Sequence, residues 1–66
     1  MKTYTVNELE ALPTLYQGHT DDLKVETDTE RVWLSRMQPE DGEVYQIHHE
    51  TLIDGSWIVT SEYAPH

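Results

Sequence analysis

The residues of this chain that could hold a metal ion or move a proton are the adjacent His48 and His49, with Glu50 beside them and Glu62 further on. Neighbours on a strand point to opposite faces, so the two histidines cannot both reach one ion. His48 with Glu50 and Glu62 then makes at most an adventitious surface site, without the supporting partners that orient a functional ligand. Asp21-Asp22 and the run Glu26, Asp28, Glu30 offer carboxylates, but not the ligand order or central glycine of an EF-hand calcium loop. No metal and no cofactor are expected. Thirteen Asp and Glu among 66 residues guarantee a close carboxylate pair by composition, so such a pair carries little information about acid–base catalysis. There is no cysteine nucleophile, no Gly-x-Ser-x-Gly elbow and no phosphate-cradling glycine loop. So small a chain also has little room for a pocket of roughly 300 Å³ or more. The expectation is a protein that is not an enzyme.

Charge narrows the remaining classes. Thirteen acidic residues stand against four Lys and Arg, a formal net charge of −9, and no Lys or Arg follows Arg36. Nucleic-acid binding draws its main driving force from clustered cations that release counterions, so direct DNA or RNA binding is not expected. Anionic membrane surfaces are disfavoured for the same reason. The same field steers the chain towards basic protein surfaces, including ones that normally hold nucleic acid. Solubility alone is the plainer explanation of an acidic surface.

Length allows one domain, residues 1–66, and a chain of about 60 residues buries only about 60% of the surface its unfolded form exposes. With no cysteine, neither disulfides nor a cysteine-based zinc site supplement that core. The amino-terminal residues lack the apolar run of a signal peptide, and no stretch approaches the roughly 20 apolar residues of a membrane span. The expected location is the cytoplasm. Two Trp, four Tyr and regular apolar spacing argue for a folded chain despite the charge.

Local patterns supply the elements. Thr5 and Glu8 have capping-box spacing, Tyr4 and Leu9 stand at staple positions, and Pro13 stops the run, which predicts a helix over 5–12. Residues 13–21 form a connector in which Leu15 and Tyr16 plug the core edge. From Leu23 the period changes to two, with turn residues at 28–30, 39–42 and 54–55, which predicts strands at 22–27, 31–37, 44–53 and 57–63. Intervals this short preclude crossover helices, so the expected fold is α+β, a short N-terminal helix packed on a four-stranded antiparallel meander.

Two turns set the expected registers. Pro39-Glu40-Asp41-Gly42 pairs Leu34 with Ile47 and Val32 with His49. For Asp54-Gly55, a two-residue loop would pair Leu52 with Trp57 and mix Gln46, His48 and Glu50 among the apolar groups. A three-residue loop with a glycine bulge pairs Trp57 with Thr51 and separates the faces better, so it is preferred. The inner face then holds Leu23, Val25, Val32, Leu34, Tyr45, Ile47, Trp57, Val59 and Tyr63, covered by Val6, Leu9 and Leu12. The outer face holds Lys24, Glu26, Trp33, Ser35, Met37, Val44, Gln46, His48, Glu50, Ile58, Thr60 and Glu62.

Trp33 on the uncovered face needs a reason. In this register it stands in a row between Glu26 and His48, with Met37, Val44 and Ile58 nearby and carboxylates around them, the anatomy of an interface core and rim. The candidate protein-binding residues are Trp33 and His48 as anchors, Met37, Val44 and Ile58 as apolar neighbours, and Glu26, Glu50 and Glu62 as complementary charge. A homodimer stacked through the same face is the alternative, in a structural or accessory protein with no inhibitory role.

Tyr4-Thr5-Val6-Asn7-Glu8-Leu9 resembles the first helix of helix-turn-helix domains, but the resemblance stops at Pro13, with no second helix and no basic recognition surface. A wider likeness rests on Tyr4 to Pro13, Asp21-Asp22-Leu23-Lys24, Arg31-Val32-Trp33-Leu34-Ser35-Arg36-Met37 and Leu52-Ile53-Asp54-Gly55-Ser56-Trp57. In these the chain resembles short proteins encoded by actinobacteria and their phages. That resemblance implies a phage or mobile-element origin and supplies no site residues. With the charge, it leads to the expectation of an acidic inhibitor or modulator, in the host cytoplasm, that occupies a basic surface of a host protein such as a CRISPR effector, nuclease or polymerase. Whether the carboxylates are spaced as a nucleic-acid mimic requires a structure.

Overall fold

A computed structural model describes residues 3–37 and 44–64. The capping box forms: Thr5 Oγ1 accepts the Glu8 N–H at 3.1 Å, and Glu8 Oε1 accepts the Thr5 N–H at 3.3 Å. Helix α1 covers only Val6–Glu10, with Ala11 as its C-cap. It ends earlier than the expected residue 12, since Pro13 disfavours helical conformation at Leu12. Leu12 therefore stays 37% exposed and does not join Leu9, which is fully buried.

Five strands follow, not four: β1 Tyr16–Gln17, β2 Asp21–Glu26, β3 Glu30–Met37, β4 Val44–Ile53 and β5 Ser56–Tyr63. They form one sheet in sequence order, every neighbouring pair antiparallel. The additional strand comes from the connector, where Tyr16 pairs with Leu23 and Gln17 with Asp22. Two residues are too few to show a period, so nothing in the pattern distinguishes β1 from loop. Leu15 and Tyr16 do not plug the core edge; they are 55% and 60% exposed.

The β3–β4 register is the expected one, with Leu34 opposite Ile47 and Val32 opposite His49. The Pro39-Glu40-Asp41-Gly42 turn lies outside the described residues. The other two hairpins depart from expectation through bulges. Between β2 and β3 the register shifts at Lys24, so Val25 faces Val32 while Leu23 faces Trp33. Leu23 therefore belongs to the Trp33 face, and Glu26 stands opposite Arg31 instead of Trp33.

The β4–β5 turn is the two-residue form. Asp54 has φ of 50° and Gly55 of 81°, the left-handed pair of a type I′ turn, and Leu52 pairs with Trp57. The mixing of faces that argued against this register is resolved further along the hairpin. A register shift between His49 and Glu50 leaves Thr60 as the extra residue, so Tyr63 returns to the inner face opposite Ile47. Trp57 and Val59 thus lie on the Trp33 face, and Ile58, opposite Thr51, lies on the inner one. Each is the reverse of the expected side.

The core consists of Leu9, Val32, Leu34 and Ile47, with Tyr4, Val6, Val25, Tyr45 and Tyr63 packed against it. A hydrogen-bonded clasp closes its edge. The Tyr63 hydroxyl accepts the Tyr4 N–H at 2.8 Å and lies 2.9 Å from His49 Nε2. A neutral His49 accepting at Nε2 lets that hydroxyl serve both partners. His49 is 4% exposed. Burial lowers its pKa below the usual 6.5, with Glu30 opposing and the charges of His48 and the amino terminus reinforcing.

The sign of the linkage follows. The unfolded chain takes up a proton near pH 6.5 and the folded chain resists it, so His49 is neutral in both states above that pH and costs nothing. Below it, stability falls by up to about 1.4 kcal/mol per pH unit until the lowered native value is reached. Urea unfolding at pH 7.5 and 5.5 should show this loss, and a smaller one in His49→Gln. Equal losses in both proteins would contradict the assignment.

Candidate protein-binding face

The face of the sheet opposite α1 is built around Trp33. Cross-strand pairing puts Leu23 on one side of it and His48 on the other. The His48 ring lies parallel to the indole, 14° between planes with centroids 6.0 Å apart. Tyr16, carried in by β1, meets the indole edge-on at 80° and 6.2 Å. Both geometries suit the aromatic quadrupole. The indole Nε1–H donates to Glu50 Oε1, so its polar edge is satisfied and the ring is fixed.

An open hollow of about 360 Å³ lies beside Trp33, lined by Leu15, Tyr16, Leu23, Glu26, Arg31 and Trp33. It is larger than so short a chain was expected to offer. Trp33 and Leu23 are themselves largely covered while Leu15 and Tyr16 stand out, so one wall of the hollow is an apolar lip. The opposite wall is polar: Arg31 Nε donates to Glu26 Oε2 at 2.8 Å, and its guanidinium lies 4.0 Å from the centroid of the Trp57 ring.

The expected site residues therefore separate into groups. Trp33, His48, Glu26, Glu50 and Glu62 share this face, Glu62 standing opposite His48. Glu26 and Glu50 are already engaged within the chain, by Arg31 and Trp33 respectively. Ile58 is on the other face, because the type I′ turn fixes its pairing with Thr51. The backbones of Met37 and Val44 pair with each other at the end of β3 and β4, and their side chains lie outside the described residues. Sequence reasoning missed Tyr16, Leu15 and Leu23. Nothing in the sequence pattern marks the bulge at Lys24 that turns Leu23 to this face, or the two-residue bridge that brings Tyr16 to it.

A second hollow, of about 420 Å³, lies on the helix side and is lined by Glu10, Thr14, Gln17, Asp22, Lys24, Leu34 and Arg36. Its cations are used structurally. Lys24 Nζ donates to Thr14 Oγ1 at 2.7 Å and to the Leu12 carbonyl at 3.2 Å, tying down the connector. The Arg36 guanidinium donates to the largely buried Asp22 at 2.9 Å. His48 and His49 point to opposite faces, as strand alternation requires, and among the described residues no three His, Cys, Asp or Glu gather as a metal site would need.

Removing the ring stacked on Trp33 tests the row. In a Trp57→Phe background that isolates Trp33, His48→Ala should move the indole emission to longer wavelength and lower stability by about 0.5–1.5 kcal/mol. Unchanged emission would show that His48 does not cover the indole.

No known protein family matches the chain, nor does any curated protein or solved structure.

Proposed function

We propose that this chain is a small acidic protein-binding module of the cytoplasm, with no enzymatic role, and that the Trp33 face takes a basic surface of another protein. The observation that carries this reading is the aromatic row Tyr16, Trp33 and His48 beside an open hollow. Trp33 is held by a stack, an edge contact and a hydrogen bond, so little rotamer freedom is left to lose when a partner arrives. Tyr16, 60% exposed, is the aromatic group that a partner meets first. Rigid aromatic groups with a polar rim are where binding energy concentrates.

Charge supplies direction. A body of net charge −9 attracts a basic partner over distances beyond contact, while the carboxylates already engaged by Arg31 and Trp33 keep the face in order. Glu62, opposite His48 and exposed, is the carboxylate of this face best placed to meet an incoming cation. If the surface it occupies normally holds nucleic acid, the chain acts as an inhibitor or modulator of that host protein.

Affinity capture from a host lysate at low and high salt, run beside Tyr16→Ala, tests the reading. The expected result is a basic protein retained at low salt, weakened at high salt, and held at least about tenfold less tightly by Tyr16→Ala. Capture of no basic protein under either condition would overturn it, and so would capture unaffected by the substitution.

A further inference from the structure

Asp22 stands on the face of the sheet where apolar residues gather. Cross-strand pairing sets it in a row between Gln17 of β1 and Leu34 of β3, and it is 7% exposed. A carboxylate taken that far from water needs partners for both of its oxygens. Oδ2 has one, the Arg36 guanidinium at 2.9 Å. Oδ1 is buried and has none among the described residues. A buried acceptor left unmet is a standing cost to the fold, which a bound donor would remove.

Asp22 also lines the hollow of about 420 Å³ on the helix side, whose other charged walls are Glu10, Lys24 and Arg36. Each of these three has capacity to spare. Lys24 Nζ carries three donors and uses two, on Thr14 Oγ1 and the Leu12 carbonyl, while the five donors of Arg36 give one to Asp22. Glu10 is exposed and makes no ion pair among the described residues. In a chain of net charge −9, two of the four Lys and Arg border this one hollow, so an anionic group finds a place there despite the overall field.

We propose that the hollow binds a small zwitterion, an α-amino acid, whose ammonium group donates to Asp22 Oδ1 and Glu10 and whose carboxylate accepts from Lys24 and Arg36. The class of ligand follows from the walls. A plain cation would be opposed by Lys24 and Arg36, and a plain anion by Glu10 and the bare oxygen of Asp22. A molecule that carries both charges a few bonds apart meets a partner for each. An apolar ligand would gain little, since Leu34 is the apolar part of the lining and is 2% exposed. Arg36 reaches Asp22 from the solvent side, its own side chain 43% exposed, so a small rotation of it admits the ammonium group to Oδ1. The hollow lies across the sheet from Trp33, and the proposal does not depend on a basic partner at that face.

Titration with L-glutamine, followed through backbone amide shifts by NMR, tests it. Saturable shifts are expected at Asp22, Lys24 and Arg36, with a Kd of about 1 mM or tighter. L-Glutaminamide, which lacks the carboxylate, and N-acetyl-L-glutamine, which lacks the ammonium group, should each bind at least about tenfold more weakly. Asp22→Asn, which can set an N–H where the free oxygen was, should abolish binding. Glu10→Gln, on the exposed surface of α1, should weaken it in a chain that folds as the wild type does, whether or not Asp22→Asn folds. No saturable shift up to about 50 mM would overturn the proposal. So would equal binding of either analogue, or a Glu10→Gln chain that binds like the wild type.

Discussion

One helix of five residues must cover a five-stranded sheet, and the rest of the molecule follows from how little it covers. Leu9 is its fully buried side chain, and it seals Val32, Leu34 and Ile47, the middle of one face. Such a helix does not persist alone, so the capping box and the Tyr63 clasp hold it where the sheet needs it. Both ends of the chain meet in that clasp, because Tyr63 is on the last strand and Tyr4 precedes the helix. The polar group at its centre, His49, sits where an apolar residue would pack more simply, and its hydrogen bond to Tyr63 is the reason it can be buried.

Beyond the reach of α1 the sheet looks after itself. The folded chain measures 39 × 23 × 21 Å, and the β4–β5 hairpin forms one end of its sheet. Leu52, Ile53, Ile58 and Val59 are exposed there, and Leu15 and Tyr16 are exposed at the other edge. A chain this short cannot hide all its apolar residues. What matters is where they were left: beside Trp33 they form a hollow with a fixed aromatic floor, and along β5 they mark an edge without charged protection.

The sequence was legible wherever local chemistry and burial agree. Thr5 and Glu8 announce the helix, and the Pro39-Glu40-Asp41-Gly42 turn signal, which gathers Val32, Leu34 and Ile47 on one face, leads to the register that β3 and β4 adopt. It was misleading wherever a single extra residue resets the faces. Asp54-Gly55 is a strong two-residue turn signal, yet it was set aside because it seemed to spoil the inner face; the extra residue Thr60 restores that face for Tyr63. Lys24 plays the same part for Leu23. Bulges leave no compositional mark, so Leu23, Trp57, Ile58 and Val59 were each assigned to the wrong side. Of the site, Trp33 and His48 could be placed from β3–β4 pairing alone; Tyr16 could not, because β1 has no period to read. The charge also has a finer meaning than its total: part of it is already engaged within the chain, as Asp21 accepts from Ser35, Asp22 from Arg36 and Glu50 from Trp33.

The central claim is that the bulge at Lys24 and the type I′ turn at Asp54-Gly55 bring Tyr16 and Trp57 to the face away from α1, where β3–β4 pairing already sets Trp33 beside His48. Nuclear Overhauser contacts in solution test it most directly. The account predicts contacts from the Trp33 indole to the rings of Tyr16 and His48, and from Trp57 to Leu52 and Arg31. Contacts from Trp57 to Thr51, Tyr63 or Leu9, with none between Tyr16 and Trp33, would contradict it.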